Sequence, residues 1–274
     1  MKITRLLLLL LITTLATSAQ AETINCTPVT SLPATIDTQG LYCLIGNLAT
    51  SQTSGNAIQI NANNVTFDLN GWKVGGQGAG TGTAAYGIYS TAVNVTVKNG
   101  IVRGFRAGIW LTGRGATVQG ITADQNTFLG IWVEGPGSIV QGNQVVDTGG
   151  STTGANVNAI GIYVQGSGSL VQNNLVSGLT STGGGGETGI YFLTTATQST
   201  ARGNIVSDTE RPTGGGSSSG IWMNGTAAVA VSGNIVTNFG ICVRYGTGTG
   251  TYSRNTAISC DTKYSGGTAG SGND

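Results

Sequence analysis

Gly87-Ile88-Tyr89 is the first of a series of triplets in which glycine is followed by isoleucine and an aromatic residue. Five further copies share this pattern: Gly108-Ile109-Trp110, Gly130-Ile131-Trp132, Gly161-Ile162-Tyr163, Gly189-Ile190-Tyr191 and Gly220-Ile221-Trp222. A seventh copy, Gly240-Ile241-Cys242, lacks the aromatic residue, and successive copies are 21, 22, 31, 28, 31 and 20 residues apart. Self-similarity at such a period indicates a repeat architecture built by stacking one structural unit.

Each repeat contains three short apolar runs, and the triplet begins the first of them. The second run ends in a recurring apolar residue: Val97, Val118, Val140, Val171, Ala201 and Val231. The third run has its inward position at Val102, Ala123, Val145, Val176, Val206, Val236 and Ala257. Three strands per turn without helical periodicity predict an all-β, single-stranded right-handed parallel β-helix of about eight rungs and three sheets. The alternative, a β-propeller, needs four antiparallel strands per blade and a period of roughly 40 to 50 residues.

Two further features recur at fixed places in the repeat. A column of asparagines separates the second strand from the third: Asn143, Asn174, Asn204, Asn234 and Asn255. Asparagine tolerates the left-handed backbone region and can hydrogen-bond to neighbouring backbone, so we interpret this column as a ladder of turns.

The long repeats carry their extra residues before the next triplet, at 75–85, 149–158, 179–188 and 211–219. These insertions predict loops on one face, and their Gly, Ser and Thr content indicates mobility.

The two ends of the chain differ from the repeats. Residues 1–21 have a basic start, an apolar run and a small-residue cleavage site at Ala19-Gln20-Ala21, the pattern of a secretory signal peptide. The sequence predicts an N-terminal cap over residues 22–56, the β-helix over 57–264 and a flexible Gly/Ser-rich tail over 265–274.

The charge of the mature chain is close to balanced. Without Lys2 and Arg5 it has ten basic and eleven acidic residues, and no basic patch is present. Nucleic acid and anionic membrane are therefore not expected partners, and membrane insertion is not expected.

The four cysteines lie in two pairs, one near each end of the mature chain. In an exported protein an even number of cysteines predicts disulfides, and proximity favours Cys26–Cys43 and Cys242–Cys260. No pair has C-x-x-C spacing and the chain contains no histidine, so no metal site or cofactor is predicted. The expected location is secreted or periplasmic.

The aromatic residues of the triplets predict a second feature, a column on the outside of the first sheet. Side chains alternate along a strand, so if Ile109 and Leu111 point inward, Trp110 between them points outward. The same reasoning applies to the whole set: Tyr89, Trp110, Trp132, Tyr163, Tyr191 and Trp222. The triplet glycines would lower the surface on one side of the rings. The other side would carry Thr112, Glu134, Gln165, Leu193, Asn224 and Arg244.

A row of exposed tryptophan and tyrosine side chains usually marks an interaction surface. Sugars suit such a floor, since their C–H faces lie on aromatic rings while their hydroxyl groups reach polar flanks. Two other interpretations stay open: the column stabilises the sheet beneath covering loops, or it packs against another subunit and so mediates oligomerisation.

Evidence for catalysis is weak in this sequence. The candidate residues are Glu134, Asp147, Asp208 and Arg211, of which Asp147 and Asp208 occupy equivalent places after the third strand. A glycosidase needs two carboxylates roughly 5 to 10 Å apart, and Glu134 with Asp147, or Asp147 with Asp208, could supply them. The alternative, without any catalytic role, is that these residues are solvated surface charges. Arg103 and Asp124 share a column in adjacent rungs, which predicts a surface ion pair.

Three segments of the N-terminal part resemble exported bacterial right-handed β-helix proteins of the pectate-lyase-like superfold, with NosD-like or carbohydrate-binding and sugar-hydrolysis-type repeats. They are Thr30–Ile36, Gly40–Leu48 and Asn64–Gly71. The resemblance implies the fold and a polysaccharide ligand. It implies no catalytic residue, because the Asp-Pro-His-Asp of the epimerases, the Asn-Thr-Asp and Gly-His-Gly of the polygalacturonases and the acidic Ca²⁺ cluster of the lyases are missing. The function expected is polysaccharide binding; a lyase or hydrolase, or a structural or adhesive envelope protein, are the alternatives.

Overall fold

The computed structural model describes residues 25–209, 217–225, 228–247 and 250–274. The predicted signal peptide at residues 1–21 and the candidate residue Arg211 therefore lie outside the described residues. The described chain is almost entirely strand and turn, with one short 3-10 helix at Gln77–Ala79. No helix within it has the length and apolar character that a membrane crossing requires.

The strands of the described residues are short, as stacking in a coil requires. In chain order they are β1 (Thr27–Val29), β2 (Ala34–Ile36), β3 (Gly40–Leu44), β4 (Leu48–Ala49), β5 (Asn56–Ile60), β6 (Val65–Asp68), β7 (Lys73–Gly75), β8 (Tyr86–Ser90), β9 (Thr96–Arg103), β10 (Ala107–Leu111), β11 (Thr117–Asp124), β12 (Leu129–Val133), β13 (Ile139–Gln141), β14 (Gln144–Gly149), β15 (Ala159–Val164), β16 (Leu170–Gln172), β17 (Leu175–Thr180), β18 (Glu187–Phe192), β19 (Thr200–Arg202), β20 (Ile205–Ser207), β21 (Ser218–Met223), β22 (Ala230–Ser232), β23 (Ile235–Thr237), β24 (Ile241–Tyr245), β25 (Thr251–Ser253), β26 (Thr256–Ile258), β27 (Thr262–Ser265) and β28 (Thr268–Ala269).

These strands form a parallel β-helix, as predicted. The first sheet contains ten parallel strands, in the order β2-β5-β8-β10-β12-β15-β18-β21-β24-β27. The eight inner strands of this sheet match the expected rungs, and β2 and β27 add one at each end. The second and third faces are joined into one sheet of eighteen strands, because β9 and β11 continue around the corner between them.

The triplet isoleucines build the core of the coil. Ile88, Ile109, Ile131, Ile162, Ile190 and Ile221 are each 0% exposed. They pack against valines of the other faces, such as Val118 and Val145, which are also 0% exposed. Full burial of one such side chain contributes about 1.5 to 3 kcal/mol. Since these six successive rungs place an isoleucine at the same position, the core runs continuously along the axis.

The asparagine column is a buried hydrogen-bonded ladder, which confirms its interpretation as a structural feature. Asn174 donates from both its backbone N–H and its Nδ2 to Oδ1 of Asn204, at 3.0 and 2.9 Å. Nδ2 of Asn174 also donates to the carbonyl of Val140 at 2.9 Å. The same pattern repeats from Asn143 to Asn255. Each amide therefore satisfies backbone groups at a corner where no sheet partner is available.

The C-terminal residues differ from the expected flexible tail, because they extend the stack. β28 pairs in parallel with β25. Asn273 takes the next place in the asparagine ladder, accepting from the backbone N–H of Asn255 at 3.1 Å. The backbone N–H of Asp274 donates to the carbonyl of Asn255 at 3.1 Å. Composition suggested a tail, but the last residues supply the partners that the final rung would otherwise lack.

The two predicted disulfides are both present. Cys26 joins Cys43 and Cys242 joins Cys260, so each end of the coil is cross-linked within two neighbouring segments. The ion pair expected between Arg103 and Asp124 is also present, with Nε and Oδ2 3.0 Å apart.

The seventh triplet is out of register with the other six, and the prediction that placed Arg244 in the polar flank was wrong. Val243 lies opposite Ile221, and Arg244 lies opposite Trp222. Cys242 therefore takes the place that glycine has in the other rungs, and its side chain is fully buried. The disulfide to Cys260 uses this inward position, which shifts the pattern by two residues relative to the triplet.

Candidate functional site

The six triplet aromatic residues lie in one register on the outer surface of the first sheet. Trp110 is opposite Tyr89 and Trp132, Tyr163 is opposite Trp132 and Tyr191, and Trp222 is opposite Tyr191. We call these six residues the aromatic column. Five strand spacings of about 4.8 Å give it a length of roughly 24 Å. Tyr191 is 9% exposed and the other five rings are partly exposed.

The rings contact one another from end to end. Trp110 and Trp132 are stacked, with centroids 4.3 Å apart and an interplanar angle of 8°. Tyr163 and Tyr191 are stacked at 5.0 Å, and Trp132 meets Tyr163 edge-on at 5.5 Å. Such pairs contribute about 0.5 to 1.5 kcal/mol each beyond the area they bury. The column is therefore a stiff surface rather than a row of independent side chains.

Polar residues of the flank orient several rings. Nε1 of Trp110 donates to Oε1 of Glu134 at 2.9 Å. Nδ2 of Asn224 donates to the hydroxyl oxygen of Tyr191 at 2.6 Å, and Nε2 of Gln165 donates to that of Tyr163 at 3.4 Å. Glu134, Gln165 and Asn224 hence lie beside the rings as predicted, and each holds one of them in place.

The triplet glycines do not border the rings, contrary to our expectation. A Cβ on Gly161 would overlap Cγ1 of the buried Val176, and one on Gly189 would overlap Cγ1 of Val206. Both glycines therefore face the core, as does the isoleucine that follows each of them. Strict alternation fails at this point, because the strand bends locally and brings two consecutive residues to the inner side.

This bend turns the residue before each glycine outward, next to the rings. Ala107, Leu129 and Ile160 occupy this position in successive rungs and form a second apolar cluster with Tyr191. Phe128, Tyr86 and Leu193 pack against the same cluster. Sequence reasoning missed these residues. The signal was available, since an apolar residue precedes glycine in three consecutive triplets, but it becomes readable only when the bend is known.

Two of the insertion loops form one wall along the aromatic column. Val157 and Thr182 pair as an antiparallel bridge, with N–H···O distances of 3.1 and 2.9 Å. Side-chain oxygens of Asn156 and Asn158 accept from the backbone N–H groups of Gly184 and Gly186, at 2.6 and 2.8 Å. The loops at 149–158 and 179–188 are thus tied together by several hydrogen bonds.

A cavity of about 540 Å³ lies between this wall and the C-terminal part of the column. Its lining is mostly apolar on one side and polar on the loop side: Phe128, Leu129, Trp132, Asn158, Ile160, Tyr163, Gly184, Gly186, Thr188, Tyr191, Ser217 and Trp222. The indole N–H groups of Trp132 and Trp222 are buried without a hydrogen-bond partner among the described residues. Leaving such a donor unpaired costs about 1 to 3 kcal/mol, so these groups favour an occupant with acceptor atoms.

The column tyrosines are neutral over the ordinary pH range. Burial is the main reason that the pKa of Tyr163 and of Tyr191 is raised above its usual value. For Tyr89, burial again comes first, and the nearby charge of Glu134 raises the pKa further. These phenols can therefore donate and accept hydrogen bonds, but they cannot act as anions at neutral pH.

The predicted catalytic candidates have three different environments. Glu134 lines a shallow pocket with Pro136 and Gln165, just after the carboxyl end of β12. Asp147 is exposed and lines another pocket with Gln125 and Thr127, before the chain enters β15. The five residues of a first-sheet strand separate these two ends by about 16 Å, which exceeds the distance between paired glycosidase carboxylates.

Asp208 resembles neither of the other two carboxylates. It is 5% exposed, and its Oδ1 accepts from the backbone N–H of Thr209 at 2.9 Å. Its equivalence in sequence to Asp147 therefore does not extend to exposure. Within the described part of the chain, no group of three or more acidic or cysteine side chains is arranged to hold a metal ion. Of the two carboxylate pairs expected from the sequence, Glu134 and Asp147 are separated by the length of a strand. Asp147 and Asp208 lie two strand spacings apart along the axis, or roughly 10 Å, with β17 between them.

Comparison with known proteins identifies the scaffold. Residues 86–261 match the family described as right handed beta helix region. The Dettilon tailspike protein is similar in structure, with a TM-score of 0.62 and 16% identity over 90% of this chain and 59% of that one. The enzymatically active domain of tailspike protein 2 of bacteriophage CBA120 has a TM-score of 0.58 and 14% identity, over 90% of this chain and 41% of that one.

A further similar structure is the tailspike protein of E. coli bacteriophage HK620 in complex with a pentasaccharide, with a TM-score of 0.48 and 13% identity. It covers 84% of this chain and 58% of that chain. This chain thus spans about two fifths to three fifths of the length of these tailspike proteins. No curated protein sequence matches the chain. At these identities the structural similarity concerns the fold.

Proposed function

The chain belongs to the right-handed β-helix family, and we propose that on this scaffold it binds an extended polysaccharide along the aromatic column. The observation that carries the proposal is the column itself: six rings in register, five of them partly exposed, beside a cavity of about 540 Å³. A fold alone does not imply a function, so the proposal depends on this site and not on the tailspike proteins.

The shape and chemistry of the surface favour a chain-like sugar ligand. The lining of the cavity includes residues of four successive first-sheet strands, β12, β15, β18 and β21, which favours a ligand that extends along the axis over a small compact one. Flat rings suit the C–H faces of sugars. Asn158, Thr188 and Ser217 on the cavity lining can meet hydroxyl groups.

The test is retention by a panel of immobilised polysaccharides, using Trp110→Ala and Trp132→Ala. We expect the affinity of either variant to fall about tenfold or more, because truncating an aromatic anchor at a binding surface costs about 2 kcal/mol or more. Trp72→Ala is the matched control, since Trp72 is 38% exposed and lies outside the column. Unchanged retention by both column variants, with native circular dichroism, would remove the proposal.

Tryptophan fluorescence provides a second readout of the same site. Three of the four tryptophans belong to the column, so an occupant should shift the emission spectrum. The Trp72→Ala protein should show the same shift as the unaltered protein. A ligand that is retained without any spectral change would have to bind elsewhere on the coil.

Catalysis is tested in the same experiment by analysing the soluble products. Polysaccharide cleavage that is lost in Glu134→Gln would replace the binding proposal with that of a lyase or hydrolase. Retention without products supports binding alone. If no polysaccharide is retained and the protein self-associates through the column, the structural or adhesive alternative is supported instead.

We propose in addition that the protein is exported and cut after Ala21. The two disulfides are consistent with an oxidising compartment. Expression with the full N-terminus and mass spectrometry of the exported product should find a chain that begins at Glu22 and is lighter by the four protons of two disulfides. A product that retains residues 1–21, or that stays in the cytoplasm, would contradict export.

A further inference from the structure

The aromatic column ends in a cation. Arg244 occupies the next position of the column after Trp222, and its Cζ lies 4.5 Å from the centroid of the Trp222 ring. A guanidinium stacked on an aromatic face keeps its N–H groups in the plane, where they remain available to a planar anion. Arg244 is partly exposed, so a ligand on the column can reach it.

A second arginine is held in the same way at the other side of the cavity. The Cζ of Arg106 lies 5.1 Å from the ring centroid of Phe128. Phe128 and Trp222 both line the cavity of about 540 Å³, so each margin of the cavity has a ring with a guanidinium on it. This repetition in two distant rungs distinguishes the arrangement from a single surface charge.

Neither arginine has an acidic partner among the described residues. The ion pairs of the described chain are Lys98 with Asp68 and Arg103 with Asp124, both away from the column. A partly exposed arginine that is not neutralised locally offers up to five N–H donors to an incoming anion.

The carboxylates near this face are already engaged. Oε1 of Glu134 accepts the indole N–H of Trp110 at 2.9 Å. Glu187 is 3% exposed, and its Oε1 accepts from the backbone N–H and the hydroxyl of Ser181, at 2.9 and 3.1 Å. Neither forms an ion pair with Arg106 or Arg244.

From these observations we infer that the ligand of the column is an anionic polysaccharide, with its acidic groups bound by Arg106 and Arg244. The inference rests on the proposed function and specifies its substrate class. Carboxylates of uronic acids and sulfate esters share the required chemistry, a flat or trigonal set of oxygens that accepts two N–H groups from one guanidinium. The rings bind the sugar faces, and the arginines select the charge.

The separation of the two arginines adds a length requirement. The backbones of Arg106, before β10, and Arg244, in β24, are five strand spacings or roughly 24 Å apart along the axis. Their guanidinium groups lie over Phe128, before β12, and Trp222, in β21, which are three spacings or roughly 14 Å apart. A single sugar can contact one guanidinium at most. Only an oligomer or polymer that crosses the whole cavity engages both, so affinity should rise with chain length until that span is reached.

The experiment compares a charged polymer with its uncharged form and adds a second charged polymer of different chemistry. A polyuronate, the same polymer after reduction of its carboxyl groups to alcohols, and a sulfated neutral glycan are titrated against the full chain by isothermal calorimetry. The unaltered protein should bind the polyuronate or the sulfated glycan at least tenfold more tightly than the reduced polymer. Preference between the two charged polymers identifies carboxylate or sulfate as the natural group.

Variants locate the effect. Arg244→Gln and Arg106→Gln should each weaken binding of the charged polymer about tenfold, since hydrogen bonds to charged groups are the strong ones, and leave the reduced polymer unaffected. Arg254→Gln is the matched control, because Arg254 lines a pocket with Gln172 and Arg202 at another corner of the coil. Glu134→Gln should strengthen binding of the charged polymer, because it removes a like charge beside the column.

The outcomes separate this inference from the proposed function. Equal binding of charged and reduced polymers would overturn the anionic ligand and leave polysaccharide binding intact. Equal loss in the Arg244 and Arg254 variants would overturn the assigned position. If the unaltered protein binds none of the three polymers, the anionic ligand is overturned, and retention on the wider polysaccharide panel decides the proposed function separately. Melting curves of every variant exclude misfolding as the cause.

Discussion

Replacing Gly161 by alanine is the sharpest test of how the first sheet is built. The structure places this glycine against the core, whereas strict alternation would place it on the surface. An ideal Cβ at Gly161 overlaps Cγ1 of Val176 and lies 2.6 Å from the carbonyl oxygen of Gly189. Val176 is fully buried, and the carbonyl belongs to the next strand of the sheet, so neither can move far.

The expected cost follows from these two contacts. Overpacking of a close-packed core costs about 1 to 3 kcal/mol, and the loss of backbone entropy in the unfolded chain returns about 0.4 to 1 kcal/mol for Gly→Ala. We therefore expect Gly161→Ala to destabilise the protein by about 1 to 2 kcal/mol. For a chain of this size the apparent Tm should fall by about 2 to 4 °C for each kcal/mol.

The assay is thermal and urea unfolding followed by circular dichroism, with Gly46→Ala as the matched control. A Cβ at Gly46 meets nothing within 4 Å, so this exchange should change stability by no more than about 0.5 kcal/mol. The pair Gly161→Ala and Val176→Ala completes a double-mutant cycle. If the clash is with Val176, the double variant should lose less stability than the sum of the single losses.

The reasoning is refuted if Gly161→Ala behaves like Gly46→Ala. Such a result would mean that the glycine faces outward, that Leu129 and Ile160 face inward, and that the apolar strip beside the rings does not exist. An additive cycle with a destabilised single variant would refute only the assignment of the clash to Val176, and would point to the backbone oxygen.

Three further predictions concern the scaffold. Asn204→Ala should cost about 2 to 4 kcal/mol in urea unfolding, because it leaves several buried hydrogen-bonding groups without partners. Asn61→Ala should cost less than about 1 kcal/mol, because Asn61 is exposed and its φ is not positive. Replacing Cys242 and Cys260 together by alanine should lower the free energy of unfolding by about 2 to 4 kcal/mol, as expected for a disulfide that closes a loop of 18 residues. Hydrogen exchange should also become faster in the last rungs. An unchanged urea midpoint would contradict this prediction. Burial raises the pKa of Tyr245 above its ordinary value of about 10, so its neutral form stabilises the fold. That contribution is complete below pH 10 and is lost as the pH rises above 10. The unfolding midpoint of Tyr245→Phe should therefore decline less steeply above pH 10 than that of the unaltered protein. An equally steep decline would refute the role of Tyr245.

Local spacing in the sequence was enough to predict the repeat and therefore the coil. The period of the triplets, the buried isoleucines and the asparagine column depend on local spacing, because each rung must bury the same face and turn at the same corner. The disulfide pairs followed from the position of the cysteines at the two ends. The aromatic column followed from the two-residue period of a strand, which is a property of the backbone.

Tertiary structure decided what surrounds that column. The inward turn of Gly161 depends on its packing against Val176, a residue of another face, and no single strand carries that information. The place of Arg244 depends on the pairing of β21 with β24, because strand register is set across the sheet. The loop wall depends on hydrogen bonds between Val157 and Thr182, residues of different rungs. Composition predicts the mobility of a loop in isolation, whereas contacts between loops decide whether they form a wall.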